Sequence, residues 1–180
     1  MIKLFFEGLV IGFIIAVPVG PIGLLCINRA LSGGIAYGLF SGLGVATADA
    51  LAGGIAVLGL TLIGDFLLSQ QAWLRPVGGL FLCYLGLRTF MGRRAEQVKS
   101  AGADSLLGSY GSTFFLTATN PVTNLSFVAI YAGWGIESLR GNYLSAAALT
   151  WGVFTGSALW WVILSGWLLF FRARFTARGL

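Results

Sequence analysis

The chain consists of long apolar runs separated by short polar connections. Five runs reach about 20 residues, the length with which a helix crosses the hydrocarbon core of a bilayer: residues 4–27, 37–60, 73–91, 110–134 and 143–171. Small residues recur at every fourth position in three of them, as in Gly8, Gly12, Ala16 and Gly20. Such ridges let helices pack closely in lipid. The pattern predicts an all-α fold, a polytopic transmembrane helical bundle with five visible spans.

Proline interrupts two of these runs well inside their length. Pro18-Val19-Gly20-Pro21 lies inside the first run, and Asn120-Pro121 lies inside the fourth. Each proline removes a backbone donor and crowds the carbonyl four residues before it. Because lipid offers no hydrogen bonds, neighbouring helices or a wet cavity must satisfy the released groups. Paired interruptions of this kind are typical of secondary transporters.

The breaks offer two kinds of polar backbone group. The prolines are predicted to release the carbonyls of Ile14, Val17 and Thr117, and free carbonyls suit an ammonium group or a cation. The helix that resumes after each break presents unpaired N–H groups, which suit a carboxylate. A zwitterion needs both within a few ångströms. The alternative is that each break only kinks its helix and shapes the bundle.

The two halves of the chain resemble each other. The polar stretch 93–109 separates residues 1–92 from residues 110–180, and each half opens with an interrupted run. The segment 44–51 can be aligned with 152–159 at an offset of 108 residues. We therefore expect a single transmembrane domain, 1–180, built as an inverted 3+3 repeat, because three spans per repeat reverse the second one. Its sixth span is expected to be missing or truncated.

Asp49 lies about 12 residues into the second run, roughly 18 Å along a helix axis and near the bilayer midplane. A charge at that depth costs about 3 kcal/mol. Asp49 must therefore face a cavity or a partner, or carry a proton, which makes it a candidate for proton coupling or for binding a cationic group. The alternative is a neutral acid hydrogen-bonded within the bundle. The candidate substrate path comprises the two breaks, this acid and nearby polar side chains: Pro18, Gly20, Pro21, Asp49, Asn120, Pro121, Thr123 and Asn124.

Composition and charge restrict the class of protein further. With 57% hydrophobic and 9% charged residues, the chain has too little polar surface for a soluble domain of 180 residues. The net charge of +5 does not indicate nucleic acid, because the basic residues flank the apolar runs. Eight of them fall on one side of the predicted bundle and three on the other. The positive-inside rule then predicts an external N-terminus and a cytoplasmic C-terminus.

The two cysteines, Cys26 and Cys83, lie in the first and third runs, and the chain has neither histidine nor a CxxC motif. We therefore expect no Cys/His metal site, no cofactor and no enzyme activity. Two other functions stay open: a transmembrane thiol/redox conduit that uses Cys26 and Cys83, and a membrane assembly subunit that transports nothing. Small-residue ridges would also permit a homodimer.

These motifs, in this order, resemble the LysE/RhtB-type amino-acid exporters. The resemblance rests on the interrupted segment 16–23, on Gly33-Gly34, on the embedded Asp49 and on Asn120-Pro121. It implies a small carrier of the bacterial inner membrane that exports amino acids or related metabolites, coupled to protons, by alternating access. It also implies that Pro18, Gly20, Pro21, Asp49, Asn120 and Pro121 line or shape the substrate path. The family often has a lysine soon after its Asn-Pro, where this chain has Val122 and Thr123.

Overall fold

A computed structural model describes residues 1–18, 20–62, 105–134 and 142–176, together with the single positions 76, 80, 83 and 87. All the regular structure of these residues is helical, which confirms the all-α fold. Six helices are described: α1 (Ile2–Ala16), α2 (Pro21–Ser32), α3 (Ile35–Leu62), α4 (Leu106–Ala118), α5 (Pro121–Trp134) and α6 (Tyr143–Thr176). The third predicted span, 73–91, lies outside the described residues except for those four single positions, and so does most of the polar stretch 93–109.

Two of the six helices are long and apolar enough to cross a membrane, through the segments Ile35–Gly59 and Tyr143–Leu168. A third span is present if α1 and α2, which meet at an angle of 81°, count as one broken span. The fourth predicted span is divided at Asn120 into α4 and α5. Helices long and apolar enough to cross a membrane are thus confirmed, while the number of five spans stays a prediction.

The ends of these helices follow from local sequence. Pro21 and Pro121 occupy the first positions of α2 and α5, where proline's missing N–H removes no intrahelical bond. Gly34 adopts a φ of +100° between α2 and α3, a conformation that glycine reaches without strain. Ser105 caps α4 by accepting a hydrogen bond from the Gly108 amide at 3.0 Å. Each break therefore restarts a helix at a proline.

The long helices α3 and α6 cross at the centre of the bundle and run in opposite directions. Residue numbers that increase along α3 contact residue numbers that decrease along α6: Gly38 with Ser165, Gly42 with Trp161, Asp49 with Ser157, and Gly54 with Thr150. Helix α1 packs along α6, and α4 packs along α3. The breaks that follow α1 and α4 are thereby brought to the crossing of α3 and α6.

Glycines set the close approach of α1 to α6. A Cβ atom on Gly8 or Gly12 would overlap the backbone of Leu149 or Val153. In the opposite direction, a Cβ atom on Gly152 would overlap the carbonyl oxygen of Phe5. Backbone contact of this kind is a main source of packing energy where lipid removes the hydrophobic drive between helices. The small-residue ridges of the sequence therefore serve packing.

A polar cluster joins α2, α3 and α4 away from the crossing. The Arg29 Nη1 atom donates to the Ser109 carbonyl at 3.1 Å and to Ser41 Oγ at 3.3 Å. Thr113 Oγ1 donates to the Ser41 carbonyl at 2.7 Å. All four side chains are buried. Because a buried polar group must be hydrogen-bonded to be tolerated, this cluster ties the second helix of the first break to α4.

Candidate functional site

Asp49 lies at the crossing of α3 and α6, where 2% of its surface is exposed. The Ser157 hydroxyl, on α6, donates a hydrogen bond of 2.7 Å to Asp49 Oδ2. Ser157 is itself fully buried. The hydroxyl holds the carboxyl group in one orientation and satisfies one of its oxygens. Asp49 therefore faces the interior of the bundle and not the lipid.

A cavity of about 100 Å³ opens beside Asp49. Residues of both breaks and of α3, α4 and α6 line it: Ile15, Ala16, Pro18, Gly20, Pro21, Ile22, Gly23, Val45, Asp49, Thr117, Asn120, Thr123 and Trp161. Its volume is enough for several water molecules, and its polar lining offers them hydrogen-bond partners. The two breaks and the buried acid thus share a single cavity.

The first break leaves the start of α2 without a side-chain cap. Gly20 is the N-cap residue, with φ −87° and ψ −166°, and no side chain in the described part of the chain caps the first turn of α2. The amides of Ile22 and Gly23 belong to that turn, where helix geometry provides no intrahelical acceptor. Both residues line the cavity. The positive end of the α2 dipole therefore lies at the cavity wall.

At the second break, side chains of the break itself form hydrogen bonds with its backbone groups. Asn120 Oδ1 accepts the Val122 amide at 3.0 Å and so caps α5. Asn124 Nδ2 donates to the Ala118 carbonyl at 3.0 Å. The Thr117 carbonyl, which the sequence predicts to be free, accepts the Asn120 amide at 3.0 Å, so that prediction was wrong. The 3₁₀-type turn before Pro121 supplies this acceptor with a donor that an α-helix would not.

Loss of the Asn120 cap should lower the stability of the protein. We expect Asn120→Ala to cost about 1 kcal/mol of unfolding free energy, because it leaves the Val122 amide without its acceptor. Asn120→Ser, which keeps a capping oxygen, should recover most of that loss. The measurement is the thermal unfolding midpoint in detergent. Equal midpoints for the alanine and serine variants would contradict the capping role.

The structure brings six of the eight predicted site residues to the cavity wall: Pro18, Gly20, Pro21, Asp49, Asn120 and Thr123. Pro121 is exposed at the start of α5 and is not among the residues that line the cavity. Asn124 bridges the second break and lines a separate, mostly apolar groove of about 430 Å³ between α3, α4 and α5. Pro121 and Asn124 therefore shape the break and do not face this cavity.

Two polar side chains that were not among the predicted site residues also line the cavity. Thr117 on α4 is 2% exposed and Trp161 on α6 is 4% exposed. Among the described residues, neither Thr117 Oγ1 nor Trp161 Nε1 has a hydrogen-bond partner. The sequence carries a weak signal for each: Thr117 is polar inside an apolar run, and Trp161 lies too deep for an interfacial aromatic belt.

The cysteines of the redox hypothesis lie in different surroundings. Cys26 is buried in an apolar cluster with Val45 and Trp161, and Cys83 is exposed. Neither forms a disulfide within the described part of the chain. Arg29, one helical turn after Cys26, donates hydrogen bonds to the Ser109 carbonyl and to Ser41 Oγ. The geometry of these residues supplies no argument for thiol chemistry.

Broken helices, a buried acid and a shared polar cavity between antiparallel spans are typical of secondary transporters. Sequence comparison identifies the chain as a transporter. It belongs to the LysE type translocator family, whose sequence model matches residues 13–179. The chain is therefore a multi-pass membrane transporter and not an enzyme, and the resemblance drawn from its motifs is confirmed.

Three curated relatives carry efflux names. The chain is 27% identical to the "Threonine efflux protein" of Salmonella typhi over 159 residues, which cover 86% of this chain and 74% of the relative. The protein of the same name from Salmonella typhimurium gives the same identity and coverage. The "Putative amino acid efflux protein YcgF" of Bacillus subtilis is 29% identical over 133 residues, 72% of this chain and 62% of the relative. No solved structure matches the chain significantly.

Proposed function

We propose that this protein exports amino acids or related small metabolites across the bacterial inner membrane. The observation that carries the proposal is the cavity shared by Asp49 and both helix breaks. A polar cavity of this size inside an apolar bundle suits a small solute, and a buried acid there suits an amino group or a proton. Membership of the translocator family and the efflux names of its relatives support the same direction of transport.

Alternating access would follow from an inverted repeat. Asp49 and Ser157, which are hydrogen-bonded to each other, are separated by 108 residues, the offset that aligns the two halves of the sequence. Contact between equivalent residues is expected where a pseudo-two-fold axis passes between them. A two-fold rotation about that axis would exchange the packing of α1 on α6 with the packing of α4 on α3. These relations support rocking of one repeat against the other around the cavity.

Two glycines at equivalent positions of the repeat make similar contacts with the neighbouring helix. A Cβ atom on Gly152 would meet the Phe5 carbonyl and the Leu9 amide nitrogen, four residues apart on α1. A Cβ atom on Gly44, at the equivalent position of α3, would meet the Tyr110 carbonyl and the Phe114 amide nitrogen, four residues apart on α4. The two interfaces therefore show the same kind of contact, a glycine against two main-chain atoms four residues apart, which favours a common origin for both halves.

Proton coupling would use Asp49. Its carboxyl group is buried, is held by Ser157 and borders a cavity large enough for water. As access alternates between the two sides, the carboxyl group would take up a proton from one side and release it on the other, or exchange it for the amino group of the solute. Entry of protons would then drive the solute outward. The membrane orientation proposed here is an external N-terminus and a cytoplasmic C-terminus, and a homodimer is compatible with it.

The test is transport by purified protein in proteoliposomes. A panel of labelled amino acids, led by L-threonine, is loaded inside or outside the vesicles, and movement is followed with and without an imposed pH gradient. We expect movement of at least one small amino acid, accelerated by the gradient. No movement of any amino acid by folded protein would refute amino-acid export, and equal rates with and without the gradient would refute proton coupling alone.

A further inference from the structure

The two helix starts at the cavity differ in what they offer a ligand. At the second break the first turn of α5 is capped, since Asn120 Oδ1 accepts the Val122 amide. At the first break Gly20 has no side chain, and none of the described side chains caps the first turn of α2. The unpaired amides and the positive dipole end of α2 therefore lie at the cavity, whereas at α5 the Val122 amide, equivalent to that of Ile22, is already occupied.

Independent polar groups lie at the same cavity. The Thr117 hydroxyl, on a side chain that is 2% exposed, has no hydrogen-bond partner among the described residues. The indole Nε1 of Trp161, on a side chain that is 4% exposed, likewise lacks one. Leaving such buried donors unpaired is unfavourable, because they have lost water and gained no acceptor. Both residues line the cavity, so a ligand that accepts hydrogen bonds there would recover that cost.

We infer that the cavity binds its solute in one orientation. The carboxylate lies at the start of α2, where it accepts hydrogen bonds from the first-turn amides, the Thr117 hydroxyl and the Trp161 indole N–H. The ammonium group lies toward Asp49. This inference rests on the proposed export of amino acids, and it names the class of solute more narrowly: small zwitterions with a free α-carboxylate and a free amino group.

The reverse orientation is disfavoured by the chemistry of the groups. An indole N–H and a backbone N–H can only donate, so neither can accept a hydrogen bond from an ammonium group. Asp49 is the one acidic residue that lines the cavity in the described part of the chain, and a carboxylate facing a carboxylate would be repelled. No lysine or arginine belongs to the described lining. A carboxylate must therefore be bound by neutral donors and a helix dipole.

The test removes one donor at a time and asks whether the carboxylate is still recognised. Trp161→Phe deletes the indole N–H, and Trp160→Phe is its matched control, because Trp160 packs edge-on against Phe13 and does not line the cavity. Thr117→Val deletes the hydroxyl with little change of shape. Its control is Thr155→Val, since the Thr155 hydroxyl already donates to the Trp151 carbonyl.

The readout is counterflow of labelled L-threonine in proteoliposomes, competed by unlabelled L-threonine or by L-threoninamide. The amide keeps the ammonium group and the side chain but has no carboxylate. We expect wild-type protein to prefer the acid over the amide by at least about tenfold, the value of one hydrogen bond to a charged group. Trp161→Phe and Thr117→Val should each reduce that preference by about tenfold. The two control variants should keep it.

The preference is a ratio measured within one preparation, so it does not depend on how much of each variant folds. An unchanged ratio in both Trp161→Phe and Thr117→Val, in vesicles that still move threonine, would overturn the orientation and leave amino-acid export standing. Loss of the preference for the acid over the amide in the control variants would also overturn the orientation. If wild-type protein moves none of the amino acids of the panel, export itself fails, and the orientation fails with it.

Discussion

Replacing Asp49 with asparagine is expected to abolish transport while leaving the protein folded. Asparagine has nearly the shape of aspartate, and its Oδ1 can still accept the Ser157 hydroxyl, so the crossing of α3 and α6 is preserved. It can neither carry the negative charge nor exchange a proton. Removing one partner of a buried ion pair costs about 3–5 kcal/mol, which corresponds to a fall of 100-fold or more in the affinity for an ammonium group.

The measurement has two arms that separate the roles of Asp49. In the first, a pH gradient drives threonine across the membrane; in the second, labelled and unlabelled threonine exchange without a gradient. A residue that only couples protons would lose the first and retain the second. Because we infer that Asp49 also meets the ammonium group, both arms should fail in Asp49→Asn.

Glu7→Gln provides the matched control for this substitution. Glu7 lies on α1 and pairs with the exposed Lys3 at 3.6 Å, away from the cavity. Such a surface pair contributes little to stability. Loss of its charge should therefore leave both arms at the wild-type rate. Full activity of Asp49→Asn, or equal losses in the two variants, would contradict a central role for Asp49.

The sequence was sufficient to locate Asp49 and the breaks because their signals are large. A carboxyl group at the bilayer midplane costs several kcal/mol unless neighbouring groups of the fold satisfy it, and so does a proline inside a spanning helix. Periodicity also indicated which helices approach closely, since Gly8 and Gly12 recur at the spacing of one helical face. These features constrain the architecture before any side chain is placed.

The chemistry of the second break could not be predicted in the same way. Whether Asn120 lines the cavity or caps α5 depends on its side-chain torsions, and the structure shows that it does both. The rotation of α5 likewise turns Asn124 toward Ala118 and away from the cavity. Residue type and spacing cannot distinguish these outcomes, because each is compatible with the same pattern of polar positions.

That Thr117 and Trp161 line the cavity as hydrogen-bond donors could not be predicted, for a different reason. A threonine in an apolar helix ordinarily bonds to its own backbone, as Thr47 does to the Leu43 carbonyl at 2.8 Å. A deep tryptophan ordinarily packs, as Trp160 does against Phe13. Only the tertiary placement of Thr117 and Trp161 beside the start of α2 distinguishes them from these ordinary cases.

Gly152→Ala is expected to destabilise the folded bundle by about 3 kcal/mol, the upper part of the usual range for an overpacked site. The added Cβ atom would overlap the Phe5 carbonyl oxygen and lie 2.8 Å from the Leu9 nitrogen. Both are main-chain atoms, so no side chain can rotate to make room, and α1 must move away from α6. That loss exceeds the gain of about 1 kcal/mol that alanine brings to a helix interior.

Gly166→Ala is the matched control, because it makes the same change in the same helix where nothing lies within 4 Å. Its effect should have the opposite sign or be negligible. Gly44→Ala should destabilise the protein about as much as Gly152→Ala, since the Tyr110 carbonyl blocks the added atom at the equivalent contact between α3 and α4. Thermal unfolding midpoints of the three variants in detergent measure these differences. Gly44→Ala behaving like Gly166→Ala would contradict the equivalence of the two interfaces, and with it the inverted repeat on which alternating access depends.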